Sequence, residues 1–170
     1  MALVLAIGLY LGFNNDDISQ VLSWVDRSNP GLYQVVEVSD GDTIVVDMNG
    51  RQERVRLIGI DTPELHHPEK PVQCFAEAAS KFTASLVENN KVRLEADPQS
   101  GNRDIYERLL RYVYLPDDTD VNASIIREGY GFAYTVFPFD KSEEYESYEN
   151  LARFDERGLW SECDLSSFED

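Results

Sequence analysis

The chain has 170 residues, and its 15 Lys and Arg against 32 Asp and Glu give a formal net charge of −17. This length is typical of one domain, and a composition of 42% hydrophobic and 11% aromatic residues excludes a disordered chain. The acidity argues against a protein that holds nucleic acid non-specifically through a basic surface at low salt, and two Cys are too few for a disulfide-dense scaffold.

Lysine supplies only four of the 15 positive charges, at Lys70, Lys81, Lys91 and Lys141. An acidic, lysine-poor surface keeps a protein hydrated and soluble at high salt. The same balance also occurs in acidic proteins from ordinary habitats. Composition therefore leaves both interpretations open.

The first thirteen residues form one uncharged, apolar run from Met1 to Phe13. A membrane-spanning helix needs about 18 to 20 apolar residues, so this run is short for a spanning anchor and fits the core of a signal peptide better. We expect residues 1–13 to direct secretion or to tether the protein to a membrane, with the domain outside the cytoplasm. The alternative is an apolar helix that packs on the domain. Residues 14–30 are predicted to form a linker.

Three strands are predicted next, from alternating and β-branched residues. The first covers Tyr33–Ser39, and the second covers Thr43–Met48 after a turn at Asp40-Gly41-Asp42. Asn49-Gly50 is a strong signal for a type I′ hairpin turn, and the third strand is predicted at Arg51–Ile60. These segments form a three-stranded meander.

Helices and two further strands are predicted in the rest of the chain. Apolar residues at helical spacing predict an amphipathic helix over Cys74–Asn90. The order of three strands, a helix, two strands and terminal helices is that of an OB-type barrel. We therefore predict an α+β, mainly β, domain over residues 31–165, with a five-stranded OB-fold barrel and three helices, followed by an acidic tail at 166–170. The other elements are strands at Val92–Ala96 and Leu109–Leu115 and helices at Val121–Glu128 and Glu143–Arg157.

Four carboxylates lie at two junctions between predicted strands and loops, in the segments Asp40-Gly41-Asp42-Thr43 and Asp61-Thr62-Pro63-Glu64. Proteins bind calcium with several carboxylate and carbonyl oxygens in a site of some flexibility. Asp42, Asp61 and the main-chain carbonyl of Thr62 could supply such oxygens. Taken singly, each segment is also an ordinary turn or strand exit, because Asp, Gly and Pro are common turn residues.

Two arginines stand near these carboxylates in the predicted fold. Arg56 lies on the third strand, and Arg108 lies at the entry of the fifth. A guanidinium group binds phosphate oxygens in a bidentate manner, and two of them can neutralise the charge that develops on a phosphoryl group under attack. The alternative is structural: Arg54 and Arg56 share the polar face of a half-buried strand, and Arg108 pairs with Glu107 or Asp104.

Three motifs occur in order along this pattern: Asp-Gly-Asp-Thr at 40–43, Arg-Leu-Ile-Gly-Ile-Asp-Thr-Pro-Glu at 56–64, and Tyr-Glu-Arg at 106–108. With these motifs the chain resembles the staphylococcal nuclease, or thermonuclease, family over roughly Tyr33 to Cys163. The resemblance implies an OB-fold enzyme that hydrolyses DNA and RNA with calcium and leaves a 3′-phosphate. By motif match it implies these roles: Asp42, Asp61 and the Thr62 carbonyl bind calcium, Glu64 orients or deprotonates the attacking water, and Arg56 and Arg108 bind the phosphate.

The chain departs from the family pattern at two places near the expected substrate. The family has Tyr-Gly-Arg where this chain has Tyr106-Glu107-Arg108, which adds a negative side chain beside the phosphate site. Near the family's nucleotide-binding tyrosines, the aligned positions hold Thr135 and Phe137. We expect Tyr106 and Phe137 to contact substrate, because an aromatic ring can stack on a base. Tyr134 has the opposite strand parity and would face the substrate only if the loop shifts.

Cys74 and Cys163 are the only cysteines. In an exported protein, a disulfide between them would close a loop of about ninety residues, which the chain-entropy model values at roughly 4 to 5 kcal/mol. In a reducing compartment both would be buried thiols. We favour the disulfide.

The sequence therefore predicts a monomeric, secreted or membrane-tethered, calcium-dependent nuclease that acts on DNA, RNA or both. The alternative from another class is a catalytically silent OB module that binds nucleic acid or protein. Such a module would usually have lost a member of the catalytic set, and this chain keeps all five of its side chains. A zinc or Ser-His-Asp hydrolase lacks the ligands, because the chain has only two His, which are adjacent, and no Gly-x-Ser-x-Gly motif.

Overall fold

The structure is a computed structural model that describes residues 31–65 and 71–168. The predicted signal or anchor segment 1–13 and the linker 14–30 lie outside the described residues, as do 66–70 and 169–170. Within the described residues, none of the helices has the length and apolar character needed to span a membrane.

Five strands close into a barrel, which confirms the predicted fold. Around the barrel the order is β1-β2-β3-β6-β5, with β5 paired back to β1. Neighbouring strands are antiparallel except β3 and β6, which are parallel. A separate two-stranded ladder joins β4 to β7. The strands in chain order are β1 (Tyr33–Asp40), β2 (Thr43–Asp47), β3 (Gln52–Leu57), β4 (Ile60–Asp61), β5 (Lys91–Glu95), β6 (Leu109–Tyr114) and β7 (Phe132–Ala133).

Helices pack against the barrel and close its end. The three predicted helices are present as α1 (Ala76–Val87), α2 (Val121–Arg127) and α3 (Ser142–Phe154). The structure adds a short α4 (Leu159–Glu162) and a 3-10 helix at Leu165–Phe168. The ring of Phe168 lies 5.1 Å from that of Phe132, so ordered packing continues into the segment predicted as an acidic tail.

The barrel interior is filled by alternate residues of the strands, as a pleated sheet requires. Burying each such aliphatic side chain contributes about 1.5–3 kcal/mol relative to leaving it exposed. From the helices, Ile125 and Tyr145 join the same core. Fully buried strand residues are Ile44, Val46, Val55, Val92 and Val113.

The third strand is shorter than predicted, and the difference positions the site. The prediction ran from Arg51 to Ile60, but β3 ends at Leu57. Gly59 has a φ of +73°, a conformation that favours glycine, and a Cβ there would lie 2.5 Å from the ring of Phe139. The chain turns at this glycine and starts β4, where Asp61 pairs with Phe132 instead of continuing the barrel.

The hairpin turn predicted at Asn49-Gly50 is present between β2 and β3. Asn49 and Gly50 both have positive φ, at 60° and 86°, as a type I′ turn demands. The first long helix is three residues shorter at its C-terminal end than predicted, because Asn89 adopts a φ of 60° and ends it.

Cys74 and Cys163 form a disulfide with a Cα–Cα distance of 5.9 Å across a sequence separation of 89 residues. The bond joins the start of α1 to the end of α4. Beside it lies a second small apolar cluster of Ala152, Leu159 and Trp160. The disulfide therefore ties the last helices to the first one.

Candidate active site

The site lies where the turn between β1 and β2 meets the chain leaving β4. Asp42 is only 7% exposed, and its Oδ2 accepts hydrogen bonds from the main-chain N (3.1 Å) and the Oγ1 (3.2 Å) of Thr62. A Cβ at Gly41 would lie 2.7 Å from Thr62 Oγ1. Glycine is therefore required at this position for the two segments to approach so closely.

Arg56 forms ion pairs with both Asp42 and Asp61, the two aspartates that the motifs predict as calcium ligands. Its Nη1 lies 3.0 Å from Asp42 Oδ2, and its Nη2 lies 2.8 Å from Asp61 Oδ1. Nη1 also donates to the carbonyl of Ile60 at 2.8 Å. Only 15% of the arginine side chain is exposed. The structure thus brings Arg56, Asp42, Asp61 and Thr62 together.

Four carboxylates crowd this end of the barrel, and two of them have raised pKa values. Burial raises the pKa of Asp61 to about 6, and repulsion from Asp42 and Glu64 adds to it, while Arg56 acts in the opposite direction. Asp61 lies in a concave region where protein atoms displace water, although 52% of its side chain stays accessible. Burial also raises the pKa of Asp40 to about 6, with repulsion from Asp42 and a hydrogen bond that protonated Asp40 donates to Glu64 contributing.

This donor set suits a hard divalent cation. Carboxylate oxygens are the ligands that calcium prefers, and a bound cation would relieve the repulsion that adds to the effect of burial on the two pKa values. Over residues 31–65 and 71–168, no three His, Cys, Asp or Glu side chains already converge as a metal cage. An ion would therefore complete its shell with main-chain carbonyls and water, as calcium commonly does.

Glu64 is held by its main chain as well as by its neighbours. Its N–H donates to Gln73 Oε1 at 2.6 Å, and its carbonyl accepts from Gln73 N at 3.1 Å. Its side chain hydrogen-bonds with that of Asp40. Gln73 therefore anchors Glu64 from the far side of the segment 66–70.

Arg108 is oriented by Asp104, one of the two partners that the sequence left open. Its Nε lies 2.6 Å from Asp104 Oδ2, and its Nη1 lies 3.3 Å from Thr43 Oγ1. Asp104 Oδ1 accepts from the N–H groups of Tyr106 and Arg108 at 2.9 Å each. Glu107 has a φ of 62° within this turn. A single aspartate thus shapes the turn and holds the guanidinium toward β2.

A cleft of about 770 Å³ opens beside these groups. Its lining includes the charged residues Arg56, Asp61 and Arg108 and the aromatic residues Tyr106, Tyr134 and Phe137. Tyr106 and Phe137 are 68% and 66% exposed, so their rings are available to a ligand.

Strand parity turns Tyr134 away from the substrate unless the loop shifts, and in the structure this loop brings Tyr134 to the cleft. β7 is only two residues long and ends at Ala133, so strand parity does not extend to Tyr134. The N–H of Tyr134 donates to the carbonyl of Gly59 at 2.9 Å, and its ring lies 6.0 Å from that of Phe137. Both rings therefore belong to the cleft.

Comparison with known proteins identifies the family. The family model described as "Staphylococcal nuclease homologue" matches residues 54–162. The chain belongs to the staphylococcal nuclease family. The thermonuclease of Staphylococcus hyicus is 38% identical over 138 residues, 81% of this chain and 80% of that protein. The thermonuclease of Staphylococcus intermedius is 47% identical over 109 residues, 64% of this chain and 63% of that protein.

Endonuclease YncB of Bacillus subtilis is 40% identical over 124 residues. That alignment covers 72% of this chain and 58% of YncB. The chain thus spans less than two thirds of two of these three relatives.

In this member of the staphylococcal nuclease family, Asp97 connects the two segments that carry the cleft aromatics. It is 5% exposed. Its Oδ2 accepts from Tyr112 OH at 2.6 Å and from Asp140 N at 2.8 Å, and its Oδ1 accepts from the N–H groups of Gln99 and Ser100 at 2.7 and 3.0 Å. Burial raises the pKa of Asp97, but these hydrogen bonds outweigh it and lower the pKa below its usual value.

Replacing Asp97 by Ala should lower the free energy of unfolding by about 2–4 kcal/mol, because one buried hydroxyl donor and three partly buried main-chain N–H donors would lose their acceptor. Differential scanning calorimetry should show a melting temperature lower by about 5–15 °C. Asp117→Ala is the matched control, since Asp117 is an exposed aspartate that accepts a single main-chain hydrogen bond from Thr119. Equal melting temperatures for the two variants would contradict the linking role.

Sequence reasoning assigned no role to four residues that the structure brings to the site or its support. Asp40 belongs to the Asp-Gly-Asp motif and was counted among its carboxylates, so motif adjacency was a signal for it. Gln73, Tyr134 and Asp97 act through contacts made by the fold, and no local pattern marks them.

Proposed function

We propose that this protein hydrolyses phosphodiester bonds of DNA, RNA or both in a calcium-dependent reaction. One observation carries the proposal: Arg56 bridges Asp42 and Asp61 while Arg108 is held nearby against Thr43, all at a cleft with exposed aromatic rings. The curated relatives named thermonuclease and endonuclease support the same activity.

The two arginines would bind the scissile phosphate and stabilise the charge that develops on it. Each presents a planar fork of N–H donors suited to phosphate oxygens. Their carboxylate partners hold the forks in place before substrate arrives, and preorganised donors of this kind are an effective source of transition-state stabilisation.

Glu64 would take a proton from the attacking water. General-base help of this type is worth about 10² to 10⁴ in rate. Glu64 is the carboxylate that we assign to the water. Its side chain hydrogen-bonds with that of Asp40, and this contact would orient the Glu64 carboxylate.

Asp42, Asp61 and the Thr62 carbonyl would hold the calcium ion. When bound, calcium supplies Lewis-acid polarisation of the phosphate and a template for the reacting groups. Tyr106, Tyr134 and Phe137 would stack on or pack against bases, a contact that tolerates any base because every base has a π-face.

Purified full-length protein should cleave single-stranded DNA with calcium and should lose that activity in EGTA. Cleavage should also rise from low salt to moderate KCl, because salt screens the repulsion between substrate and a chain of net charge −17. The measurement is the initial rate on a fluorescently labelled oligonucleotide.

Calcium binding also has a readout besides activity. Calcium should raise the melting temperature of the protein, because a ligand of the folded state stabilises that state.

Undiminished cleavage in EGTA would overturn the calcium assignment. A folded protein that binds the oligonucleotide but leaves it intact under every condition would favour the alternative of a silent OB binding module, and Glu107 beside Arg108 would be the first residue to replace by glycine.

A further inference from the structure

The outer face of β3 carries more than Arg56. Glu53, Val55 and Leu57 are buried, so the alternating residues Gln52, Arg54 and Arg56 face outward. The pairing with β2 has no bulge over this stretch: Arg56 lies opposite Thr43, and Arg54 lies opposite Val45. Arg54 and Arg56 therefore share one face.

Arg108 crosses β3 on this same face. In the parallel pairing of β3 with β6, Val55 lies opposite Leu109. Arg108 directly precedes Leu109, so its backbone lies beside that of Arg54. Its Nη1 reaches Thr43 Oγ1 at 3.3 Å on β2, the strand beyond β3. Since Thr43 pairs with Arg56, the side chain of Arg108 passes between the positions of Arg54 and Arg56. Three guanidinium groups are thus gathered on one face.

These three arginines differ in their partners. Arg56 is paired with Asp42 and Asp61, and Arg108 is paired with Asp104. Arg54 is exposed, and in the parts of the chain that the structure describes no ion pair or hydrogen bond engages its side chain. Arg54 can bind an anion without first releasing a carboxylate.

The run of positive charge along the outer face of β3 ends at Arg54. The next outward residue, Gln52, lies opposite Asp47, and that carboxylate repels phosphate. Two residues of a strand span about 7 Å, so Arg54 lies one such step from Arg56, comparable to the step between consecutive phosphates of an extended single strand. The surface therefore has room for one additional phosphate.

We infer that Arg54 binds the phosphate next to the scissile one on a single-stranded substrate. This inference rests on the proposed function, in which Arg56 and Arg108 hold the scissile phosphate. It assigns one more phosphate contact to a protein whose overall charge disfavours nucleic acid. One contact with a single strand contributes about −0.7 to the slope of log K against log salt.

The test is Arg54→Ala, assayed on a single-stranded oligonucleotide and on a dinucleotide that has only the scissile phosphate. On the oligonucleotide, KM should rise about threefold to fivefold at low salt, and the slope of log(kcat/KM) against log salt should become more positive by about 0.7. The ratio of wild-type to variant kcat/KM should fall toward one on the dinucleotide, because the second phosphate is missing from it.

Arg51→Ala is the matched control. It removes the same charge from the residue directly before β3. The side chain of Arg51 is 77% exposed and already paired with Glu53. Its oligonucleotide KM should stay close to wild type. Equal effects of the two substitutions, or an Arg54 effect that persists on the dinucleotide, would overturn the inference.

Failure of the wild-type protein to cleave either substrate would count against the proposed function instead. In that event the comparison is made by equilibrium binding of the labelled oligonucleotide in the presence of calcium. Arg54→Ala should weaken this binding and make its salt slope more positive by about 0.7, whereas Arg51→Ala should not. Equal binding by the two variants would then reject the Arg54 contact on its own terms.

Discussion

Glu64→Gln should lower kcat on single-stranded DNA by a factor of about 10² to 10⁴, because the amide cannot accept the proton of the attacking water. KM should change little, since the arginines and the cleft rings remain. The main-chain hydrogen bonds between Glu64 and Gln73 do not involve the carboxylate, so the fold should survive. The measurement is steady-state cleavage together with thermal unfolding of the same preparation.

Glu77→Gln serves as the control for this result. Glu77 lies on α1 and pairs with Lys81 on the exposed face of that helix, so its loss should leave cleavage unchanged. A Glu64→Gln enzyme as fast as the control would remove Glu64 from its assigned role. By contrast, an alanine at Arg56 would leave Asp42 and Asp61 without their shared cation, so that variant is a poorer test of chemistry alone.

Loss of the Cys74–Cys163 disulfide should have the largest effect on stability. For a loop of 89 residues the chain-entropy model gives about 4 to 5 kcal/mol, which corresponds to a fall in melting temperature of about 10–20 °C. The measurement is thermal unfolding of wild type with and without reductant, after a thiol assay has established that the starting protein has no free thiols.

The double variant Cys74→Ser with Cys163→Ser supplies the control. It should melt near the temperature of reduced wild type, and reductant should not shift it further. Wild-type protein that keeps its melting temperature after complete reduction would show that the disulfide adds nothing to stability. Free thiols in protein taken directly from its host would instead contradict the proposed location outside the cytoplasm, because disulfides persist in oxidising compartments.

The barrel was predictable because its strands carry their pattern locally. Alternation and β-branching mark β1, β2 and β3, and Asn49-Gly50 marks the hairpin with the two positive φ values that its turn needs. The motif residues Asp42, Arg56 and Asp61 were likewise visible, because they stand at strand ends and beside turns in a fixed order.

The rest depended on contacts between distant segments. Gly59 reads as one more residue of an apolar strand, and only the ring of Phe139 against it shows why the chain must turn there. Asp97 looks like any polar residue before a proline until the fold places Tyr112 and Asp140 around it. The orientation of Tyr134 stayed open in the sequence, because strand parity does not extend past Ala133, the end of a two-residue strand.

The carboxylate partners of Arg56 and Arg108 have a consequence for what the site admits. Because both guanidinium groups are already oriented, binding avoids the roughly 0.5–1.5 kcal/mol that ordering a long, flexible side chain usually costs. The same carboxylates make the surroundings of the two arginines negative in the absence of a cation. Free inorganic phosphate and other polyanions are then repelled. Under the proposed function, anion entry would therefore be coupled to cation entry, and the site would discriminate by charge balance before it discriminates by shape.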